Sequence, residues 1–362
     1  MRKVVFSNRV RPRSSLPFFL LAFAGLAAFA LRLQALDTLS RSRRTSSSLK
    51  RAVLPGWKSI GRTVRRYLFG RRTPHPSSSS STPPAAPPRR PRPPPEVVPS
   101  IVHFIFGLDP TFGHLGFSMI HYLAVLGAAM HLRPRGGILF HHKYEPSGPW
   151  WECARPLLTL AHVENVTEVH GRRFDKMKVQ HQADIIRMRL MREVGGIYLD
   201  ADVIPLRPFD ELLKYNLSMG QEGGEGLCNA VMVGAPNTSF VNRWWDEYRH
   251  FDPTTQWAYH SVILPRELSR RHPGEVQILG ERAFFYPMWT QLRAMYDVDD
   301  GYDYKDNFAV HLWTSIDERQ RGRLGRLTPA DIFAGNGSFH RIARKFLIDA
   351  SASGKLCKFA EF

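Results

Sequence analysis

The residues from Gln180 to Val203, QHQADIIRMRLMREVGGIYLDADV, constrain the fold of this chain more than any other stretch. Ala183, Ile186, Leu190 and Val194 recur at the spacing of an amphipathic helix, and Asp184 and Arg187 share a second face of it. Gly195 and Gly196 follow the last periodic residue, where a chain leaving a helix in a left-handed conformation needs a residue without Cβ. The helix is predicted to stop there. From Ile197 the period drops to two: Ile197, Leu199, Ala201 and Val203 point one way, and Tyr198, Asp200 and Asp202 point the other. The expectation is a single strand whose end carries two carboxylates on one face.

Carboxylates at i and i+2 of an extended segment lie roughly 6–7 Å apart, too far for tight joint chelation of a small cation. That separation suits a division of labour. One carboxylate binds a divalent metal, the other accepts a hydrogen bond from a ligand hydroxyl, and ligand phosphates complete the coordination shell. The plain alternative is an ordinary helix and strand with a surface Asp184–Arg187 ion pair of small energetic value. It leaves the polar face of the strand without a purpose.

The run D-x-x-R followed by G-G-I-Y-x-D-x-D, carried by Asp184, Arg187, Gly195, Gly196, Tyr198, Asp200 and Asp202, resembles the D-x-D sugar transferases of glycosyltransferase family 32. That family includes yeast-type mannosyltransferases and α-galactosyltransferases. The resemblance implies a GT-A architecture, an α/β nucleotide-sugar-binding fold with a mixed central sheet. It implies Mn²⁺ or Mg²⁺ as cofactor, a UDP- or GDP-sugar donor, a glycan or glycolipid acceptor, and retention of anomeric configuration. By the same resemblance Asp202 is the principal metal ligand, with Asp200 beside it reaching hydroxyls of the donor, while Asp184 and Arg187 orient the sugar as the catalytic pair. Tyr198 belongs to the same donor-binding motif. The strand Pro99–Phe106 matches the family's P-x-x-I-H-x-I-W, so His103 and Phe106, the latter standing where relatives carry tryptophan, are expected to line the nucleotide pocket. Asn229, on a predicted strand from Leu227 to Val233, is expected to close on the donor sugar. His311 and Trp313, an H-x-W pair on the apolar run Phe308–Trp313, are expected beside the diphosphate and metal; a core histidine is the alternative there.

The rest of the chain places this domain. Net charge is +18, which would suit nucleic acid, but residues 1–95 hold twenty Lys or Arg against Asp37 alone, leaving thirty basic and thirty-one acidic residues in 96–362. The folded part is nearly neutral, and no nucleic-acid partner is expected. Residues 1–15 form a basic tail, and the uncharged run Leu16–Leu31, extended to residue 36, reads as a signal-anchor transmembrane helix that holds the protein in the membrane with its remainder luminal. A signal peptide cleaved after Ala28-Phe29-Ala30 is the alternative. Residues 37–95, rich in Ser, Arg and Pro, read as a disordered stem. Residues 96–362 are long enough for one domain, in which strands alternate with helices. Cys153, Cys228 and Cys357 permit at most one internal disulfide, and sequons at Asn165, Asn216, Asn237 and Asn336 fit the secretory pathway, at the Golgi or endoplasmic reticulum membrane. A second functional hypothesis is a luminal glycan-binding or scaffolding protein with a degenerate site.

Overall fold

The apolar run after Pro99 forms β1 (Val102–Ile105), and the next such run, opened by Gly137 in a left-handed conformation, forms β2 (Ile138–His142). In the computed structural model the described residues are 96–360, apart from 113–115, 225, 255–257 and 317–321. The basic tail 1–15, the anchor 16–36 and the stem 37–95 lie outside them. Among the described residues no helix is long and apolar enough to cross a membrane.

Between β1 and β2 lies α1 (Met119–Gly127), continued by a π-turn over Ala128–Leu132. Then follow α2 (Pro149–Ala154), β3 (Thr159–His162) and a small ribbon of β4 (Glu168–Val169) with β5 (Arg172–Arg173). The predicted helix is α3 (Val179–Glu193), followed by β6 (Gly196–Leu199) and β7 (Val203–Pro205). A hairpin of β8 (Leu217–Glu222) and β9 (Gly226–Gly234) precedes α4 (Ser239–Glu247), α5 (Leu264–Arg271), β10 (Gln277–Leu279) and α6 (Leu292–Tyr296). The chain continues through β11 (Ala309–His311), α7 (Pro329–Ala334) and α8 (Ser338–Ala352).

Seven strands form one sheet in the order β10-β8-β9-β6-β1-β2-β3, with β6, β1, β2 and β3 parallel and β9 antiparallel to both its neighbours. This is an α/β fold, as the alternation of strands and helices implied, with the mixed central sheet that the resemblance led one to expect. Alternate strand residues feed two cores. Val102, Phe104, Ile197 and Leu199 pack with α1 on one face, and Ile105 and Tyr198 pack with Ile185, Ile186 and Met188 of α3 on the other. A disulfide joins Cys153 of α2 to Cys357 beyond α8, and Cys228 stays free and buried. Strand order puts the C-terminal ends of β1 and β6 side by side at the centre of the sheet, where open α/β sheets gather their ligands.

Candidate active site

Helix α3 ends where its sequence says it must. Gly195 and Gly196 adopt φ of 66° and 109°, and a Cβ would lie 2.6 Å from the Pro236 nitrogen at the first and 2.8 Å from the Ile101 oxygen at the second. His103 pins this turn from the neighbouring strand, with Nε2–H donating to the Gly195 oxygen at 2.9 Å. Its Nδ1 therefore accepts, from His141 Nε2 at 3.1 Å. Burial pushes the His103 imidazole down to about 4, against the smaller upward pull of the Gly195 bond, so the ring is neutral. The expectation that His103 lines the pocket beside Phe106 is corrected: the cleft is lined from Ile105 onward, and the His103 ring is engaged elsewhere, on the Gly195 oxygen and His141.

A second correction concerns the D-x-D. Strand β6 stops at Leu199, and Asp200-Ala201-Asp202 is a turn closed by the Val203 N–H on the Asp200 oxygen at 3.0 Å. The chain then leaves the main sheet, since β7 pairs with β11 through Val203↔His311. The expected strand through Val203 does not exist as one element. The turn brings one ligand atom each from Asp200, Asp202 and His311 within 4.8 Å of one another, closer than an extended segment spreads its side chains.

The two carboxylates have separate surroundings. Asp202 faces His311 Nε2 through Oδ1 at 3.2 Å, and its Oδ2 accepts from the Thr314 N–H at 3.0 Å and the Thr314 hydroxyl at 2.8 Å. Burial alone would push this carboxyl up, but the charge and hydrogen bond of His311 and the two bonds from Thr314 hold it well below the usual carboxylate range. Asp200 Oδ1 accepts from Arg187 Nη2 at 2.8 Å and from the Tyr198 hydroxyl at 2.7 Å. The Arg187 guanidinium lies 4.2 Å over the Tyr198 ring, stands 3.5 Å from Asp184 Oδ1 and donates to Asn229 Oδ1, whose amide in turn donates to Asp184 at 2.9 Å. With Arg187 only 4% and Asp184 6% exposed, the surface ion pair offered as the plain alternative is excluded. Burial pushes the Asp184 carboxyl up to about 6, opposed by Arg187 and the Asn229 bond.

Beside this centre opens a cleft of about 590 Å³, lined by Phe106, His121, Ala183, Thr314, Ile316 and Leu324 among others. Phe106 thus stands at the cleft. Tyr198, Asp200, Asn229, His311 and Trp313 gather around Asp202 and Arg187. Trp313, held by a bond from its indole N–H to the Pro287 oxygen, lies against His311 with ring centres 4.0 Å apart and planes tilted by 42°. His121, Ser118 and Thr314 were not foreseen. No motif marks them, and they reach the site from α1 and from the segment after β11. Two carboxylates and an imidazole converging on one point are a donor set suited to a divalent cation that accepts both oxygen and nitrogen.

A family model described as "Glycosyltransferase sugar-binding region containing DXD motif" matches residues 156–219, which span α3, the glycine turn and the D-x-D. The chain is 38% identical over 268 residues to "Glucan organizing enzyme 1" of Cryptococcus neoformans var. grubii serotype A, covering 69% of this chain and 71% of that protein. Among solved structures it is similar to the PaToxG glycosyltransferase (14% identity, 60% of this chain and 76% of that one, TM-score 0.34). It is also similar to the glycosyltransferase GlyE of Streptococcus pneumoniae TIGR4 (11% identity, 69% and 64%, TM-score 0.35) and to the galactosyltransferase LgtC solved with donor and acceptor sugar analogs (15% identity, 63% and 96%, TM-score 0.30). With the D-x-x-R and D-x-D residues assembled into one centre and a curated relative aligned over most of both chains, this chain belongs to the family of glycosyltransferases that carry the DXD sugar-binding region.

Proposed function

We propose that this protein is a metal-dependent, retaining glycosyltransferase of GT-A type that moves a hexose from a UDP- or GDP-sugar to a glycan or glycolipid. The observation that carries this reading is the convergence of Asp200, Asp202 and His311 within 4.8 Å, tied to the cleft through Thr314, which lines it and bonds Asp202. Those three residues would hold the cation, and the mixed oxygen and nitrogen donors favour Mn²⁺ over Mg²⁺. When bound, such a cation neutralises charge on a departing diphosphate. The remaining work falls to the chain itself. Arg187 and Tyr198 fix the Asp200 carboxylate, Thr314 fixes that of Asp202, and Phe106 offers an aromatic face for the donor base. Asp184, with one oxygen accepting from Asn229, follows the cleft-lining Ala183 on α3 and is assigned to a sugar hydroxyl.

Supporting a luminal, type II placement in the Golgi or endoplasmic reticulum are the Cys153–Cys357 disulfide, which suits an oxidising compartment, and the exposed positions of Asn165, Asn216, Asn237 and Asn336. The name of the curated relative puts glucans among the acceptors to try. The burial of Arg187 and Asp184 favours the second reading, a glycan-binding or scaffolding protein that no longer turns over donor. One experiment separates them. Purified full-length protein is screened for hydrolysis of UDP- and GDP-sugars with Mn²⁺ and with chelator. Metal-dependent release of nucleotide from one donor supports the transferase, and no release from any, alongside measurable glycan binding, supports the scaffold.

A further inference from the structure

The cleft holds a side chain that the transfer reading leaves without work. His121 stands in the first turn of α1, three residues after Ser118, which precedes the helix in extended conformation. Its Nδ1 receives the Ser118 backbone N–H at 2.9 Å and lies 3.0 Å from the Ser118 hydroxyl. A backbone N–H can only donate, so Nδ1 must carry a lone pair, and the neutral ring keeps its proton on Nε2. The ring sits 4.6 Å from that of Phe106 and 5.3 Å from that of Phe117, and it lines the cleft. Burial pushes it down to about 4 even though Asp202 pulls the other way, so it enters the cleft uncharged at neutral pH. Thr314 lines the same cleft and bonds Asp202 through its N–H and its hydroxyl, so the cleft connects the Phe106 and His121 rings to that carboxylate.

We propose that His121 is a specificity-determining contact of the donor site, its Nε2–H donating a hydrogen bond to an oxygen of a nucleoside diphosphate held between the Phe106 ring and the Asp202 carboxylate. The inference rests on the reading of this cleft as the donor pocket. Ser118 acts through His121 as a positioning residue: it presets the tautomer, so the N–H is aimed before ligand arrives and no rearrangement is needed on binding. An uncharged donor beside an aromatic face favours a nucleotide oxygen without attracting free anions, a discrimination that a lysine or arginine at this place would not give.

The test measures the affinity of the full-length protein for UDP and for GDP, each with saturating Mn²⁺, by calorimetric titration. His121→Asn keeps an acceptor near Nδ1 for Ser118 and removes the pocket donor. His121→Gln places an amide N–H near the position of Nε2, and His121→Phe keeps the ring against Phe106 without any donor. Wild type is expected to bind one of the two nucleotides, the Asn and Phe variants to bind it roughly five- to tenfold more weakly, and the Gln variant to remain within about threefold. Thermal melts identify any variant that has lost its fold, and the other two then decide. Wild-type affinity in the folded Asn or Phe variant overturns the hydrogen bond, and so does a Gln variant as weak as the other two. Wild type that binds neither nucleotide overturns the donor reading of the cleft itself, an outcome distinct from failure of His121 alone.

Discussion

At the scale of single residues, Arg187 ties the two carboxylates of the helix and the turn into one unit. A lysine keeps the charge but cannot bond Asp200, bond Asn229 and stack on Tyr198 at once. Arg187→Lys should therefore lose about 100-fold in donor hydrolysis and also destabilise the fold by about 2–3 kcal/mol, read by turnover and by urea unfolding in parallel. The D-x-D carboxylates should separate under titration. Asp202→Asn removes the group that faces His311 and should recover part of its donor hydrolysis at excess Mn²⁺, whereas Asp200→Asn, which disturbs the Arg187 and Tyr198 bonds, should not; identical Mn²⁺ curves for the two would defeat that assignment. Asp184 supplies a pH signature. Its carboxyl is pushed up to about 6 in the fold, so the native state holds a proton that the unfolded chain releases near pH 4, and the resulting stabilisation is lost as pH rises from about 4 to about 6. Asp184→Asn should lack this dependence. The variant's stability relative to wild type should climb by on the order of 2–3 kcal/mol across that window and level off above it, measured by urea unfolding between pH 4 and 7.

At the scale of elements, the glycine turn sets where α3 and the D-x-D stand relative to each other. Gly195→Ala and Gly196→Ala each place a Cβ against backbone in a left-handed conformation, so each should cost about 2 kcal/mol or more, seen as a fall in melting temperature. This part of the fold was legible in the sequence because its signals are local: a stripe of period 3.6, then two glycines, then apolar alternation. The same alternation concealed the break after Leu199, since Ala201 and Val203 continue the pattern through a turn and into a strand of another sheet. His103 is held away from the cleft by its bonds to the Gly195 oxygen and His141, partners 92 and 38 residues distant that only the tertiary fold supplies. His121 and Thr314 were beyond reach. One is a helix residue and the other follows a three-residue strand, and only the tertiary fold brings them to Asp202 and the cleft.

At the scale of the whole molecule, the Cys153–Cys357 bond closes a loop with a sequence separation of 204 and fastens the C-terminal segment to α2. Chain-entropy reasoning gives such a loop about 5 kcal/mol, so Cys153→Ser or full reduction should lower the melting temperature by many degrees, checked by calorimetry with and without reductant. The Asp202 cluster spans about half that stretch, for Asp202 meets His311 across 109 residues and Thr314 across 112. Ribosomes add about 5–20 residues per second, so Asp202 waits roughly 6–22 s for Thr314 to be made. Until then the carboxylate has none of the partners that keep it ionised once buried, and β7 has no β11 to pair with. In a growing chain, Asp200, Asp202 and His311 can therefore come together only after β11 has been made and has paired with β7.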